Sequence, residues 1–219
     1  MINYTPAITM VLIIVLILSC SEQIEAFVSK SAVCAYDGRC YKVANKYHGT
    51  DQASKILADL NVFGVNVMRH LRDKYIFGTP PEELNERRRF KTKAGHVKFL
   101  LENYNPDNII ENAPKTSVNT SYVMDKGKIF AICLREKASG KNEFHKMNEL
   151  EFVVLHEMAH MANYTTGHET DFWTVFKFLV KEAEMAGLHT PINYEHNPIV
   201  YCSLPIDYNP YYDNTLIDL

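Results

Sequence analysis

The segment Asn148 to Met161 reads NELEFVVLHEMAHM. On a helix, Leu150, Phe152, Val153, Val154, Leu155, Met158, Ala159 and Met161 leave almost no polar arc, so such a helix has to be buried nearly all round. The same run holds His156, Glu157 and His160. Ionisable side chains without partners are costly in that position. The rest of the chain must therefore wrap this helix and still give its polar groups something to bind. Asn148, with Glu151 three residues on, reads as the helix start.

His156-Glu157-Met158-Ala159-His160 is an HExxH sequence. Helical residues four apart share a face, with Cβ atoms about 6 Å apart, so both imidazoles can reach one cation. Neutral imidazole nitrogens at about 2.0–2.1 Å suit Zn²⁺. Glu157 lies beside such a metal and is placed to take a proton from a zinc-activated water. His accounts for 9 of 219 residues, and roughly 3% of shuffled chains of this composition would contain the motif by chance. The buried context therefore carries most of the weight, against the alternative of two satisfied core histidines and a surface Glu.

An open zinc site needs a third protein ligand. His168 is the choice, since Thr165-Thr166-Gly167 can turn the chain so that the next helix starts at the metal. Glu182, Glu184 and His145 are the alternatives. Asp171 could orient a ligand imidazole, or simply favour a helix start by its charge. Tyr164, Tyr194 and Tyr201 are candidate donors to a transition-state oxyanion. Arg87-Arg88-Arg89 with Lys91, Lys93 and Lys98 reads as a solvated helix face, with phosphate contact as the other reading.

The remaining elements follow from periodicity and turn chemistry. Val33 to Val43 flanks Asp37-Gly38 with β-prone runs, a two-residue hairpin signal. Asp51 to Tyr75 has helical spacing, with Asp51 as N-cap and Gly64 as a weak point inside it. A second helix opens at Pro81-Glu82-Glu83 and runs to Asn103, and Tyr104 to Asp107 then turns the chain. Thr116 to Arg135 reads as a hairpin turning at Asp125-Lys126-Gly127, with Ile129 to Leu134 as an edge able to pair with an extended peptide. Ser139 to Asn142 is a loop. The last long helix runs from Glu169 to Ala186 and stops at Gly187. The tail from Pro191 is irregular cover.

Ala7 to Leu18 is wholly apolar. Twelve to fourteen residues span about 18–21 Å, against about 30 Å of bilayer hydrocarbon. This length suits a secretory signal, and the flanking apolar residues make an uncleaved anchor equally defensible. Membrane association is expected, or secretion if the segment is cleaved. The five cysteines cannot all pair. Two disulfides among Cys34, Cys40, Cys133 and Cys202 compete with free buried thiols. A sequon at Asn163 lies within the chemically loaded region, where a glycan would be awkward; others lie at Asn3 and Asn119. With 23 Lys plus Arg against 26 Asp plus Glu, the net charge of −3 gives no support for a nucleic-acid partner.

LHEMAHMANYTTGHETDFWTVFKFLVKEAEMAGL resembles the metal-site segment of WLM- and SprT-like zinc metallopeptidases. It looks most like the short WLM-type proteins encoded by nucleocytoplasmic large DNA viruses. YDGRCYKV, YNPD, TSYVMDKGKIFAICLR and NPIVYC fit the same pattern, so the resemblance covers about Cys34 to Cys202. It implies zinc held by His156, His160 and His168, with Glu157 as catalytic acid/base. One departure is that seven residues separate His160 from His168, where the usual WLM spacing is five. The better-known relatives cleave proteins crosslinked to DNA, a role the apolar N-terminus fits poorly.

Together these readings predict an α+β, zincin-like metallopeptidase domain over residues 31–219, with β-hairpins packed on the active-site helix. An apolar signal or anchor over residues 1–30 precedes it. The expected reaction is hydrolysis of peptide bonds in a protein or peptide substrate, at a host-cell or virion membrane. The competing reading is a zinc-stabilised, membrane-associated binding protein without turnover.

Overall fold

The computed structural model describes residues 30–112, 120–136 and 143–219. The apolar stretch Ala7–Leu18, the sequons at Asn3 and Asn119 and the expected loop at Ser139–Asn142 lie outside them. Among the described residues no helix is long and apolar enough to cross a membrane.

The architecture is mixed α+β, with four helices and three small sheets among the described residues. Strands β1 (Lys30–Cys34) and β2 (Cys40–Ala44) form an antiparallel hairpin closed by the facing pair Cys34 and Cys40. Its turn is wider than two residues. The Ala35 N–H donates to the Arg39 carbonyl at 2.8 Å, leaving Tyr36 to Gly38 as the loop. The Asp37 carboxylate explains this width, because it accepts from the Arg39 N–H at 3.1 Å and the Tyr41 hydroxyl at 2.5 Å.

Helix α1 (Thr50–Tyr75) starts from Gly49 rather than from an Asp51 cap. Asp51 lies inside the first turn, where its charge still favours the helix N-terminus. Helix α2 (Leu84–Asn103) is capped by Glu83, whose carboxylate accepts the N–H groups of Asn85 and Glu86 at 3.0 and 2.7 Å. A short strand follows that the sequence pattern did not reveal, β3 (Ile109–Asn112). It pairs in parallel with β5 (Ile129–Cys133), while β4 (Tyr122–Met124) pairs with β5 antiparallel. The order β3-β5-β4 puts β5 in the middle of its sheet, so the expected free edge at Ile129–Leu134 is corrected to β4. Four residues are too few to show an alternating pattern, which is why β3 escaped notice.

Helices α3 (Met147–Ala162) and α4 (Thr170–Met185) complete the core, and β6 (Ile199–Tyr201) with β7 (Leu204–Ile206) forms a last hairpin. The expected Asn148–Glu151 pair does not cap α3. Glu149 does this instead, accepting the Lys146 N–H at 3.3 Å, while Glu151 faces His189 at 3.1 Å. Disulfides Cys34–Cys40 and Cys133–Cys202 take the place of free thiols, the second tying β5 to the start of the turn after β6. Such bonds persist in oxidising compartments.

Helix α3 packs against α1, α2 and α4 and under β4 and β5. Leu150, Val154, Leu155, Met158 and Ala159 on α3 are fully buried, against Leu57, Leu60 and Val67 of α1, Leu100 of α2 and Phe172, Phe176 and Leu179 of α4. Each such large apolar side chain contributes about 1.5–3 kcal/mol on burial. Beside this core sits a buried ion pair, Arg135 Nε to Glu111 Oε1 at 2.9 Å. Glu111 Oε2 also accepts the Ala44 N–H at 2.7 Å, and Arg135 donates to the carbonyls of His48 and Gly49. The pair thereby fastens β2 and the start of α1 to the central sheet.

Gly64 is more than a tolerated weak point in α1. The Tyr104 hydroxyl at the end of α2 donates to Asn61 Oδ1 at 3.2 Å, and Asn61 Nδ2 donates to the Tyr41 hydroxyl at 2.9 Å. A Cβ on residue 64 would lie 2.3 Å from the Tyr104 oxygen. Gly64→Ala should therefore destabilise by about 1–3 kcal/mol through overpacking, against a helix-propensity gain of at most about 1 kcal/mol. Thermal unfolding checks this, and a raised Tm would refute the close-packing account.

Candidate metal centre

Helix α3 carries His156 and His160 on one face and Glu157 on the adjoining one. The connection from α3 to α4 turns back at Gly167, whose φ of 90° is the left-handed conformation that glycine tolerates. That turn delivers His168 to the other two histidines. His168 Nε2 lies 3.1 Å from His160 Nε2 and 3.1 Å from His156 Nε2. The three ligand atoms all fall within 4.8 Å of one another. Each ring nitrogen can share at most one proton with a neighbour, so hydrogen bonding alone serves this cluster poorly. Two nitrogens bound to one tetrahedral zinc at 2.0–2.1 Å would stand about 3.3 Å apart, close to the observed separation. The donor set therefore fits a zinc ion.

Phe172 packs against all three imidazoles. Its ring stacks on His160 at 4.3 Å and meets His156 and His168 edge-on at 4.9 and 4.7 Å. Trp173 lies against both His168, at 5.8 Å, and Phe172, at 5.2 Å. Sequence periodicity marked Phe172 as core only; its place four residues after His168 was the one available hint of this contact.

The electrostatics suit metal binding. Burial, and then the charges of His160 and His168, hold His156 well below its ordinary value. His160 falls to about 4, through burial first and then His168 and Lys126. Burial also lowers His168. All three rings are thus neutral at pH 7, which is the ligating form. Glu157 moves the opposite way. Burial raises it to about 8, partly offset by the Val123 N–H. Its Oε2 atom is buried and has no hydrogen-bond partner among the described residues.

These groups open on a cleft of about 490 Å³. Ser121, Tyr122 and Val123 form one wall, while Thr165, Thr166 and Gly167 form the other. The β4 edge therefore borders the site, a role no sequence signal assigned to this three-residue strand.

The other candidates lie elsewhere. Glu182 is buried in a cluster with Lys74, Tyr75 and His70. Glu184 accepts from the Tyr211 hydroxyl, and His145 packs on Tyr201 beside Cys202. Asp171 touches no imidazole; it accepts from Asn163, Thr165 and the Phe172 N–H. Asn163 is buried and fully engaged, so its sequon has no room for a glycan. None of the three tyrosines lines the cleft. Tyr164 stacks outside on Phe99, Tyr194 is buried beside Phe152, and Tyr201 is buried with its hydroxyl donating to the Cys133 carbonyl and bonded to Ser121 of the cleft wall. Arg87, Arg88, Arg89, Lys91 and Lys98 lie exposed on α2, where Arg89 pairs with Glu86, while Lys93 is half-buried near the Tyr75 and Phe178 rings.

The fold and site define an α+β protein with a convergent histidine triad. Sequence comparison adds its relatives. Uncharacterized protein R325 of Acanthamoeba polyphaga mimivirus is 40% identical over 99 residues, covering 45% of this chain and 49% of its own length. Uncharacterized protein 136R of Invertebrate iridescent virus 6 is 33% identical over 105 residues, 47% of this chain and 56% of its own. Uncharacterized protein 042R of Invertebrate iridescent virus 3 is 36% identical over 113 residues, 51% of this chain and 67% of its own. The chain belongs to the same family of viral proteins as 042R, and it spans about half the length of the first two relatives. No family model matches, and no solved structure does.

The shifted groups dictate a pH dependence for the metal-free protein. Glu157 is held at about 8 against an ordinary 4.5. Its contribution to stability is complete below about pH 4.5 and is lost as pH rises through 8. The histidines act in the opposite sense, their contribution being present above about pH 6.5 and lost on acidification. Between about pH 6.5 and 8, Glu157 alone among these four groups changes. Metal-free protein should lose on the order of 2 kcal/mol across that window, and Glu157→Gln should remove the loss. Tm measured against pH for both proteins checks this; parallel curves would exclude a buried, protonated Glu157.

Proposed function

We propose that the chain is a zinc-dependent peptidase of the zincin-like, WLM/SprT-related kind. His156, His160 and His168 would hold the metal. One observation carries the reading: His168 Nε2 lies 3.1 Å from the Nε2 atoms of both His156 and His160, beside the buried Glu157 carboxyl group in an open cleft. Zinc held there would supply Lewis acidity toward a water nucleophile and a substrate carbonyl. Three protein ligands among the described residues leave a coordination position free, which favours catalysis over a closed structural site.

The chain's own residues account for the rest. Burial holds Glu157 protonated in the metal-free protein; a zinc cation beside it would favour the carboxylate, the form that can take a proton from the nucleophile and return it to the leaving amine. The β4 edge borders the cleft and would offer backbone groups along which an extended peptide could lie, the Val123 N–H being turned toward Glu157. In this reading the substrate would lie along Tyr122–Met124 rather than along Ile129–Leu134, where β5 pairs on both sides. The apolar segment Ala7–Leu18 would tether the domain to a membrane.

The test is a peptide-library cleavage screen with wild-type protein and Glu157→Gln, both carrying measured zinc. The wild type should cleave, and the variant should bind one zinc per chain yet cleave about 10²- to 10⁴-fold more slowly. A zinc-loaded variant as fast as wild type, or a wild type that binds no zinc, would end the proposal.

A further inference from the structure

His156 and His160 are fixed by α3 itself. His168 is exposed and lies on the connection between α3 and α4, outside any helix or strand. Its position depends on whatever gathers that connection. The contacts that do so converge on Lys126, which sits in the turn between β4 and β5. The Lys126 ammonium donates to the carbonyls of His160 at 3.1 Å, Asn163 at 2.7 Å and Thr165 at 3.2 Å. An ammonium has three N–H donors, and all three are used here. Two of these carbonyls belong to the unpaired C-terminal end of α3, where a cation is also favoured by the helix dipole. The third belongs to the connection itself.

The turn that presents Lys126 is specialised for this. Asp125 and Lys126 both adopt positive φ, 48° and 54°, which non-glycine residues rarely do. Such conformations persist where surrounding contacts over-determine them, and they cluster at functional sites. The surrounding contacts are present. Asn108 Nδ2 donates to the Gly127 carbonyl at 2.7 Å, and Asn103 Nδ2 donates to the Met161 carbonyl at 3.0 Å. Lys126 Nζ also lies 5.6 Å from the Phe99 ring centroid. From the opposite end, Asp171 holds Asn163 and Thr165. The connection is therefore gripped from both sides, and Lys126 lines the same cleft as His160 and His168.

We propose that Lys126 is a positioning residue that sets the third metal ligand by clamping the end of α3 to the His168 connection. The proposal rests on the zinc reading of the triad, not on peptidase activity. It assigns Lys126 no contact with the metal or substrate.

The experiment is a double-mutant cycle on the full chain, read by zinc affinity in chelator competition and by the visible spectrum of the cobalt-substituted protein. Lys126→Met should weaken zinc about 10- to 100-fold, as is usual for residues that orient metal ligands, and should alter the cobalt spectrum. In a His168→Ala background the same substitution should have no further effect, because its target is already gone. Lys126→Arg, which keeps charge and donors, should recover most of the affinity. If Lys126→Met does not fold, Lys126→Gln takes its place in the cycle with the same expectation. Unchanged zinc affinity and cobalt spectrum, or an equal loss with and without His168, would overturn the positioning role while leaving the zinc reading intact. A wild-type chain that binds no zinc would remove both.

Discussion

Everything at the candidate site depends on the burial of α3. Helices α1, α2 and α4 and strands β4 and β5 close over it, and the apolar side chains they bury are many. That stabilisation offsets the cost of placing two imidazoles and a carboxylate in the same dry surroundings. The dryness then sets the chemistry. It strips the histidines of their protons and gives one to Glu157, so opposite shifts arise from a single cause. A solvent-exposed helix with the same HExxH spacing would show neither.

The site is assembled from distant parts of the chain. Phe172 wedges the three imidazoles from α4, Lys126 reaches over from the β4–β5 turn, and β4 itself walls the cleft. The buried Arg135–Glu111 pair fixes β2 and the start of α1 to the same sheet. Removing one member of such a buried pair leaves an uncompensated charge, at a cost of about 3–5 kcal/mol. The sheet that supplies the cleft wall is thus held by a polar contact as well as by packing. Membership of a viral protein family gives this chain its relatives; the proposed chemistry rests on the site's geometry.

Much of this was readable from residues alone. The buried helix, the HExxH face, the turn at Thr165–Gly167 and the arrival of His168 all followed from apolar periodicity and turn chemistry. The two hairpins around Asp37-Gly38 and Asp125–Gly127 were equally legible. What escaped were features that depend on sequence-distant neighbours. β3 is four residues long and is defined by its parallel partner rather than by its own pattern. Asp171 was open between orienting an imidazole and favouring a helix start; it lies in the first turn of α4 and also secures the connection that carries His168. Gly64 looked like a weakness and is a contact surface for Tyr104. The cysteine pairing waited on which strands were brought together.

The sequence by itself determined which helix had to be buried and which side chains it would carry inside, because apolar periodicity and i,i+4 spacing are local properties of the chain. Only the tertiary structure decided that β4 borders the cleft, that Phe172 underlies the triad and that Lys126 grips the His168 connection. Those are relations between residues far apart in sequence, fixed by how the elements pack rather than by any local preference.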